Sequence, residues 1–118
     1  MNPPPTRVVG RIVDGYGHHA ANSRRFAARF EAALGYMPYP GTLNLAAGWP
    51  DLPAAPVTVD GHRGRIYLLW PARIVGVGVP SHAISWTPQR NRQPWFEVVA
   101  PVRIRDILDA TRPVEVWV

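Results

Sequence analysis

Thr42 and Asn44 stand two residues apart in the stretch Tyr36-Met37-Pro38-Tyr39-Pro40-Gly41-Thr42-Leu43-Asn44-Leu45. Two prolines and a glycine force a turn there, and the chain then runs extended. In extended chain, residues i and i+2 point to the same face. Two neutral oxygens on one face could contact one Mg2+, a hard ion that takes oxygen ligands and keeps several waters. The alternative is that Thr42 and Asn44 satisfy the hydrogen bonds of the turn itself. A second group precedes them, Gly15-Tyr16-Gly17-His18-His19. Its glycines would let backbone N–H groups approach phosphate oxygens with no Cβ in the way. A tight turn between strand and helix is the other meaning of such glycines. His18 and His19 could contact phosphate, act as a base or be solvated. Arg24 and Arg25 follow at the start of a helix, whose N-terminus favours anions. An exposed helical face explains those arginines equally well.

The elements around these residues are mostly short strands. Arg7 to Asp14 is rich in Val and Ile and reads as one strand, with Gly10 marking a bulge or a close backbone approach. Asn22 or Ser23 suits a helix N-cap. Phe26, Phe30, Ala33 and Leu34 then fall on one helical face, and Gly35 ends the helix. Val57–Asp60 and Arg65–Trp70 flank Gly61-His62-Arg63-Gly64 as a hairpin. Further strands fall at Arg73–Val79, Ala83–Trp86, Trp95–Val99 and Pro113–Val118, and a short helix at Arg103–Asp109. The first six residues, rich in proline, read as a loose tail, with a single domain over 7–118. Six or seven short strands with one amphipathic helix near 22–35 predict a β-barrel carrying a helix insertion.

The chain has 118 residues, 47% of them hydrophobic, so a packed globule is expected rather than disorder. No apolar run reaches the roughly 18 residues of a membrane span, and no signal core opens the chain. A cytoplasmic location is the expectation. Without cysteine, disulfides and thiolate metal sites are excluded. The formal charge is +5 and every Lys/Arg position is Arg. A basic balance suits a phosphate-bearing partner. The arginines are scattered rather than run together, which favours a nucleotide over a nucleic acid. With no lysine, Arg or a metal must hold the phosphates.

The segment from Gly35 to Leu45 resembles the "PYPGTLN" signature of the archaeal CTP-dependent riboflavin kinases. In both, a glycine loop, a helix and this turn follow in the same order. Glu97-Val98-Val99-Ala100-Pro101-Val102-Arg103-Ile104-Arg105 is similar to that family's "E-I-I-A-P-x-x-L-R" segment. The resemblance covers roughly 8–118. It implies a six-stranded cradle-loop barrel, CTP as phosphate donor and Mg2+ held at Thr42 and Asn44; on the residue chemistry above, Gly15, Tyr16, Gly17, His18 and Arg24 are the expected nucleotide contacts. Two stretches depart from the family. The loop after Gly17 lacks its further glycine and acidic residue, and Arg90–Phe96, before the second segment, has no match.

Glu97 is the carboxylate of the second matched segment. It could accept a proton or hydrogen bond from an acceptor alcohol. It could equally be a strand-surface charge paired with Arg103 or Arg105. Most of the five tryptophans suit core or rim packing. Trp86 and Trp95 flank the polar loop Thr87–Pro94 and are the better candidates for contact with a flat acceptor ring. The leading expectation is phosphoryl transfer from CTP to a small alcohol, with riboflavin as the first candidate. A non-catalytic nucleotide-binding barrel and a nucleic-acid-binding barrel are the alternatives.

Overall fold

The alternation of apolar and polar residues along the strands fixes which side of each is buried, and eight strands result among the described residues. The computed structural model describes residues 5–14, 24–87 and 95–118. In chain order the strands are β1 (Arg7–Gly10), β2 (Ile12–Val13), β3 (Leu43–Leu45), β4 (Val57–Asp60), β5 (Ile66–Ile74), β6 (Ser81–Thr87), β7 (Phe96–Val99) and β8 (Val114–Trp117). The helix α1 (Ala27–Leu34) lies between β2 and β3. All pairing is antiparallel, in the order β1-β8-β5-β6-β7-β3-β2, with β4 on β5. The two ends of this path, β1 and β2, are consecutive in the chain. The backbone itself therefore bends the sheet into a nearly closed barrel.

The expected count of six strands is corrected to eight, and the strands differ from expectation in two places. The stretch 7–14 does not run as one strand. It breaks at Arg11, so that β1 pairs with β8 and β2 pairs with β3. Gly10 sits at this corner because a Cβ there would lie 2.8 Å from the carbonyl oxygen of Ala46. The close backbone approach read from the sequence is thus real, and Ala46 N–H donates to the Arg11 carbonyl at 2.8 Å. The second lies in the hairpin: the strands expected at Arg65–Trp70 and Arg73–Val79 run as one strand, β5, that ends at Ile74, and β4, the hairpin strand read at Val57–Asp60, pairs with it off the main path. Its turn has Arg63 at φ 56° and Gly64 at φ 76°, the left-handed pair of a type I′ turn. Arg65 N–H closes it on the His62 carbonyl at 3.1 Å.

Two apolar clusters lie on opposite faces of the sheet. Leu43, Leu45, Trp70, Phe96, Val98 and Val116 belong to the one inside the barrel. Tyr67, Leu69, Ile84 and Val99 face outward and are covered by Phe26 and Phe30. The Phe30 and Tyr67 ring centroids are 5.2 Å apart. Asn22 and Ser23 lie outside the described residues, Arg24 and Arg25 are helical as expected, and a turn at Phe26 separates them from α1. Its C-terminal glycine matches: Gly35 at φ 80° donates to the Glu31 carbonyl at 2.9 Å. Ala33 is exposed rather than part of the buried face. Only Ile104–Asp106 is helical in the expected 103–109 helix, as a single 3-10 turn.

The turn leading from α1 to β3 is fastened to the end of β7. Tyr39 N–H donates to the Ala100 carbonyl at 2.7 Å. The Tyr36 hydroxyl lies 3.3 Å from the Val99 carbonyl and 2.9 Å from His82 Nδ1. Burial pushes the Tyr36 phenol well above its ordinary range and the His82 imidazole below its own. Tyr36 is therefore a neutral hydroxyl and His82 a neutral ring near pH 7.

Two measurements check this account. Gly10→Ala should lose about 1–3 kcal/mol of stability in urea unfolding, because the new methyl meets backbone that cannot move aside. Below about pH 6.5 the unfolded chain takes up a proton at His82 that the folded chain does not, so stability should fall with pH until the folded ring itself titrates. The urea midpoint should therefore drop more between pH 7.5 and 5.5 for the parent than for His82→Gln. This subtraction removes His62, which is also lowered by the nearby Arg25 and Arg63 charges. Asp14 and Asp109 are held below the carboxylate range and titrate outside this window.

Candidate functional site

Strand β3 carries Leu43 and Leu45 into the barrel core, so Asn44 must face outward. On β7, Phe96 and Val98 point inward and Glu97 faces outward by the same alternation. The register pairs Asn44 directly with Glu97. Such facing residues hold their side chains close together on one face. Thr42 completes the group from the turn just before β3. Its Oγ1 lies 2.6 Å from Asn44 Oδ1 and 3.2 Å from Glu97 Oε1. Asn44 is 7% exposed and Glu97 6%, so both are buried polar groups.

A threonine hydroxyl has one proton and can donate to only one of these oxygens at a time. Three oxygens of different kinds (hydroxyl, carboxamide and carboxylate) thus converge. That donor set fits a hard cation such as Mg2+. Among the described residues no group of three or more His, Cys, Asp or Glu side chains could hold a metal. A cation here would rely on Thr42 and Asn44 with one nearby carboxylate, and on ligands it brings with it.

The alternative reading of Glu97 as a surface charge paired with Arg103 or Arg105 does not hold. Arg103 pairs with Asp106 at 2.8 Å, and Arg105 pairs with Asp14. Glu97 is turned into the site instead. Trp86 lies on β6 opposite Tyr67, partly buried against the cluster under α1, with the Arg65 guanidinium 5.9 Å from its ring centroid. Trp95 directly precedes β7, and its carbonyl accepts from Trp49 Nε1 at 2.9 Å. These two residues border 88–94, which lie outside the described residues. Trp49 and Trp70 are packing residues, with centroids 5.8 Å apart and Trp49 4.6 Å from Phe96.

Gly15, Tyr16, Gly17 and His18 also lie outside the described residues. Arg24 is exposed in the helical turn before α1. Its neighbours Arg25 and Arg29 reach the hairpin, Arg25 to His62 Nδ1 at 3.3 Å and Arg29 to the Asp60 carbonyl at 2.9 Å. Sequence reading missed Tyr36 and His82. Tyr36 stood inside the signature segment and could have been singled out. His82 had no local signal, because it meets Tyr36 across 46 positions of sequence.

No helix among the described residues is long and apolar enough to cross a membrane. No family model matches the chain. Individual curated proteins do. A riboflavin kinase from Aeropyrum pernix is 32% identical over 111 residues, covering 84% of this chain and 83% of that protein. A riboflavin kinase from Thermococcus kodakarensis is 34% identical, covering 86% of this chain and 52% of that protein. One from Pyrococcus abyssi is 30% identical, with 86% and 52% covered. The chain thus spans most of the Aeropyrum protein and about half the length of the other two. Similarity extending over most of the chain, on a nearly closed barrel that brings the signature Thr42 and Asn44 against Glu97, identifies the chain as a member of the archaeal-type riboflavin kinase family.

Proposed function

We propose that the chain transfers the γ-phosphoryl group of CTP to the primary hydroxyl of riboflavin, giving FMN and CDP. The observation that carries this reading is the convergence of Thr42, Asn44 and Glu97 on one buried face. Thr42 Oγ1 and Asn44 Oδ1 would hold Mg2+, which would supply neutralisation of the phosphate charge. The single Thr42 proton, within reach of Asn44 Oδ1 and Glu97 Oε1, would be given to Glu97. Glu97 then orients the acceptor hydroxyl and takes its proton as the new O–P bond forms. Phosphoryl transfer needs little covalent help from the protein, so holding the acceptor oxygen in line is the main task. Trp86 and Trp95 would cover the flat ring of the acceptor. Gly15, Tyr16, Gly17, His18 and Arg24 would receive the nucleotide, and a small flavin and a nucleotide are the partners, with nucleic acid less favoured. The known relatives' name supports the acceptor, and the resemblance at Gly35–Leu45 supports the donor.

The test is incubation with CTP, Mg2+ and riboflavin, reading FMN by chromatography. FMN should form, and chelation of the metal should abolish it. Glu97→Gln should slow turnover by about 10²–10⁴-fold. Thr42→Ala and Asn44→Ala should each raise the Mg2+ requirement and weaken CTP binding by about 10–100-fold while the fold is kept. CTP binding without FMN formation would retain the nucleotide site and reject riboflavin. Failure to bind any nucleotide would reject the kinase reading.

A further inference from the structure

Strand β5 shares one edge between two partners. Its first half pairs with β4 as far as Leu69, and pairing with β8 begins at Arg73. Pro71, which has no N–H for a ladder, falls in the interval. The two partners diverge there and leave a cleft of about 900 Å3. This is in the size range of small-molecule sites. Thr42, Asn44 and Glu97 do not line it.

The walls are held in place. Trp70 Nε1 donates to the Pro53 carbonyl at 2.9 Å and ties the loop over 51–56 to the cleft floor. Thr6 and Val118 exchange backbone hydrogen bonds of 2.7 and 2.8 Å on the other side. Pro5, Pro53, Pro56 and Pro71 stiffen the lining. A cleft that is already formed saves a ligand much of the cost of ordering it.

The lining has a distinct chemistry. Trp117 pairs in register with Arg73, so an aromatic ring and a guanidinium stand side by side on one face. Both line the cleft. Arg7 flanks Trp117 on its other side but is bonded to Glu115 at 2.5 Å. Arg73 has no ion pair among the described residues. Asp51 also lines the cleft and can accept from a donor edge. A ring platform, a cation beside it and a carboxylate acceptor match three parts of one ligand.

We propose that this cleft is a second ligand site, for a flat heteroaromatic ring with N–H donors carried on a phosphate arm. The ring lies against Trp117 and the prolines, the phosphate meets Arg73, and Asp51 takes the donor edge. A flavin mononucleotide and a pyrimidine mononucleotide share this chemistry. The inference does not depend on the kinase reading.

Indole N–H signals of the whole chain, followed by NMR during titration with FMN, CMP or riboflavin, test it. FMN, CMP or both should shift Trp70 and Trp117. Riboflavin, which lacks the phosphate, should bind the cleft more weakly by about 3–5-fold, the scale of one exposed ion pair. Arg73→Ala should abolish that difference, and Asp51→Asn should weaken all three ligands. Binding of FMN alone or CMP alone would name the ring. The Thr42→Ala/Asn44→Ala double variant should still show the Trp70 and Trp117 shifts, even where the kinase assay yields no FMN. Unmoved Trp70 and Trp117 signals at millimolar ligand would overturn the proposal. So would riboflavin binding as well as FMN, or an Arg73→Ala variant that keeps the preference for phosphate.

Discussion

A strand residue can show its side chain to only one face of its sheet, and the β3–β7 pair uses this rule on both sides. Leu43, Leu45, Phe96 and Val98 fill the barrel interior. Asn44 and Glu97, interleaved among them, must then face each other outside. A slip of one residue in either strand would bury a carboxylate among leucines and expose the core set. The hydrophobic pattern that stabilises the barrel therefore also holds the oxygen cluster in register. Thr42 joins it because the turn before β3 is fastened at Val99 and Ala100, the residues that end β7 and follow it.

The second cluster follows from the same alternation. Val99, Ile84, Leu69 and Tyr67 face outward and would be exposed without a cover. Phe26 and Phe30 supply it, which is why a helix with a modest apolar face is held against this side of the sheet. Burial of such rings gives the contact between helix and sheet much of its stability. The site thus lies on the helix-covered side of the barrel and not in its interior.

Barrel closure explains where the second opening lies. The chain turns the corner at Gly10 and Arg11, and β5 is long enough to serve β4, β6 and β8. A strand with two partners on one edge leaves a gap between them, and Pro71 stands in that gap. The cleft with Trp117 and Arg73 is therefore a consequence of the topology, on strands other than those that carry Asn44 and Glu97. The arginines are divided in a similar way. Arg7, Arg103 and Arg105 are taken by Glu115, Asp106 and Asp14. Arg25 and Arg29 bind the hairpin.

Local chemistry was legible where it is written in a few adjacent residues. The glycine that ends α1, the Gly61–Gly64 hairpin, the close approach at Gly10 and the extended run through Thr42 and Asn44 all rest on conformations that one or two residue types prefer. The motif segments also pointed to the family that the relatives support. Strand number was less legible, because the break at Arg11 and the unbroken run of β5 through Pro71 to Ile74 depend on which distant strands are available to pair. Ala33 and the 103–109 stretch show the same limit, since burial and packing decide how far a helical pattern is realised. The partner of Glu97 could not be read from sequence, as Arg103 and Arg105 are nearby in the chain but engaged elsewhere in space. His82 meets Tyr36 only once β6 lies beside β7. The sequence by itself thus determined the turns, the alternation and the oxygen-bearing side chains of Thr42, Asn44 and Glu97, because these follow from local stereochemistry and side-chain chemistry. The tertiary structure alone decided which of them meet, because register between strands far apart in sequence is set by the packing of a shared core.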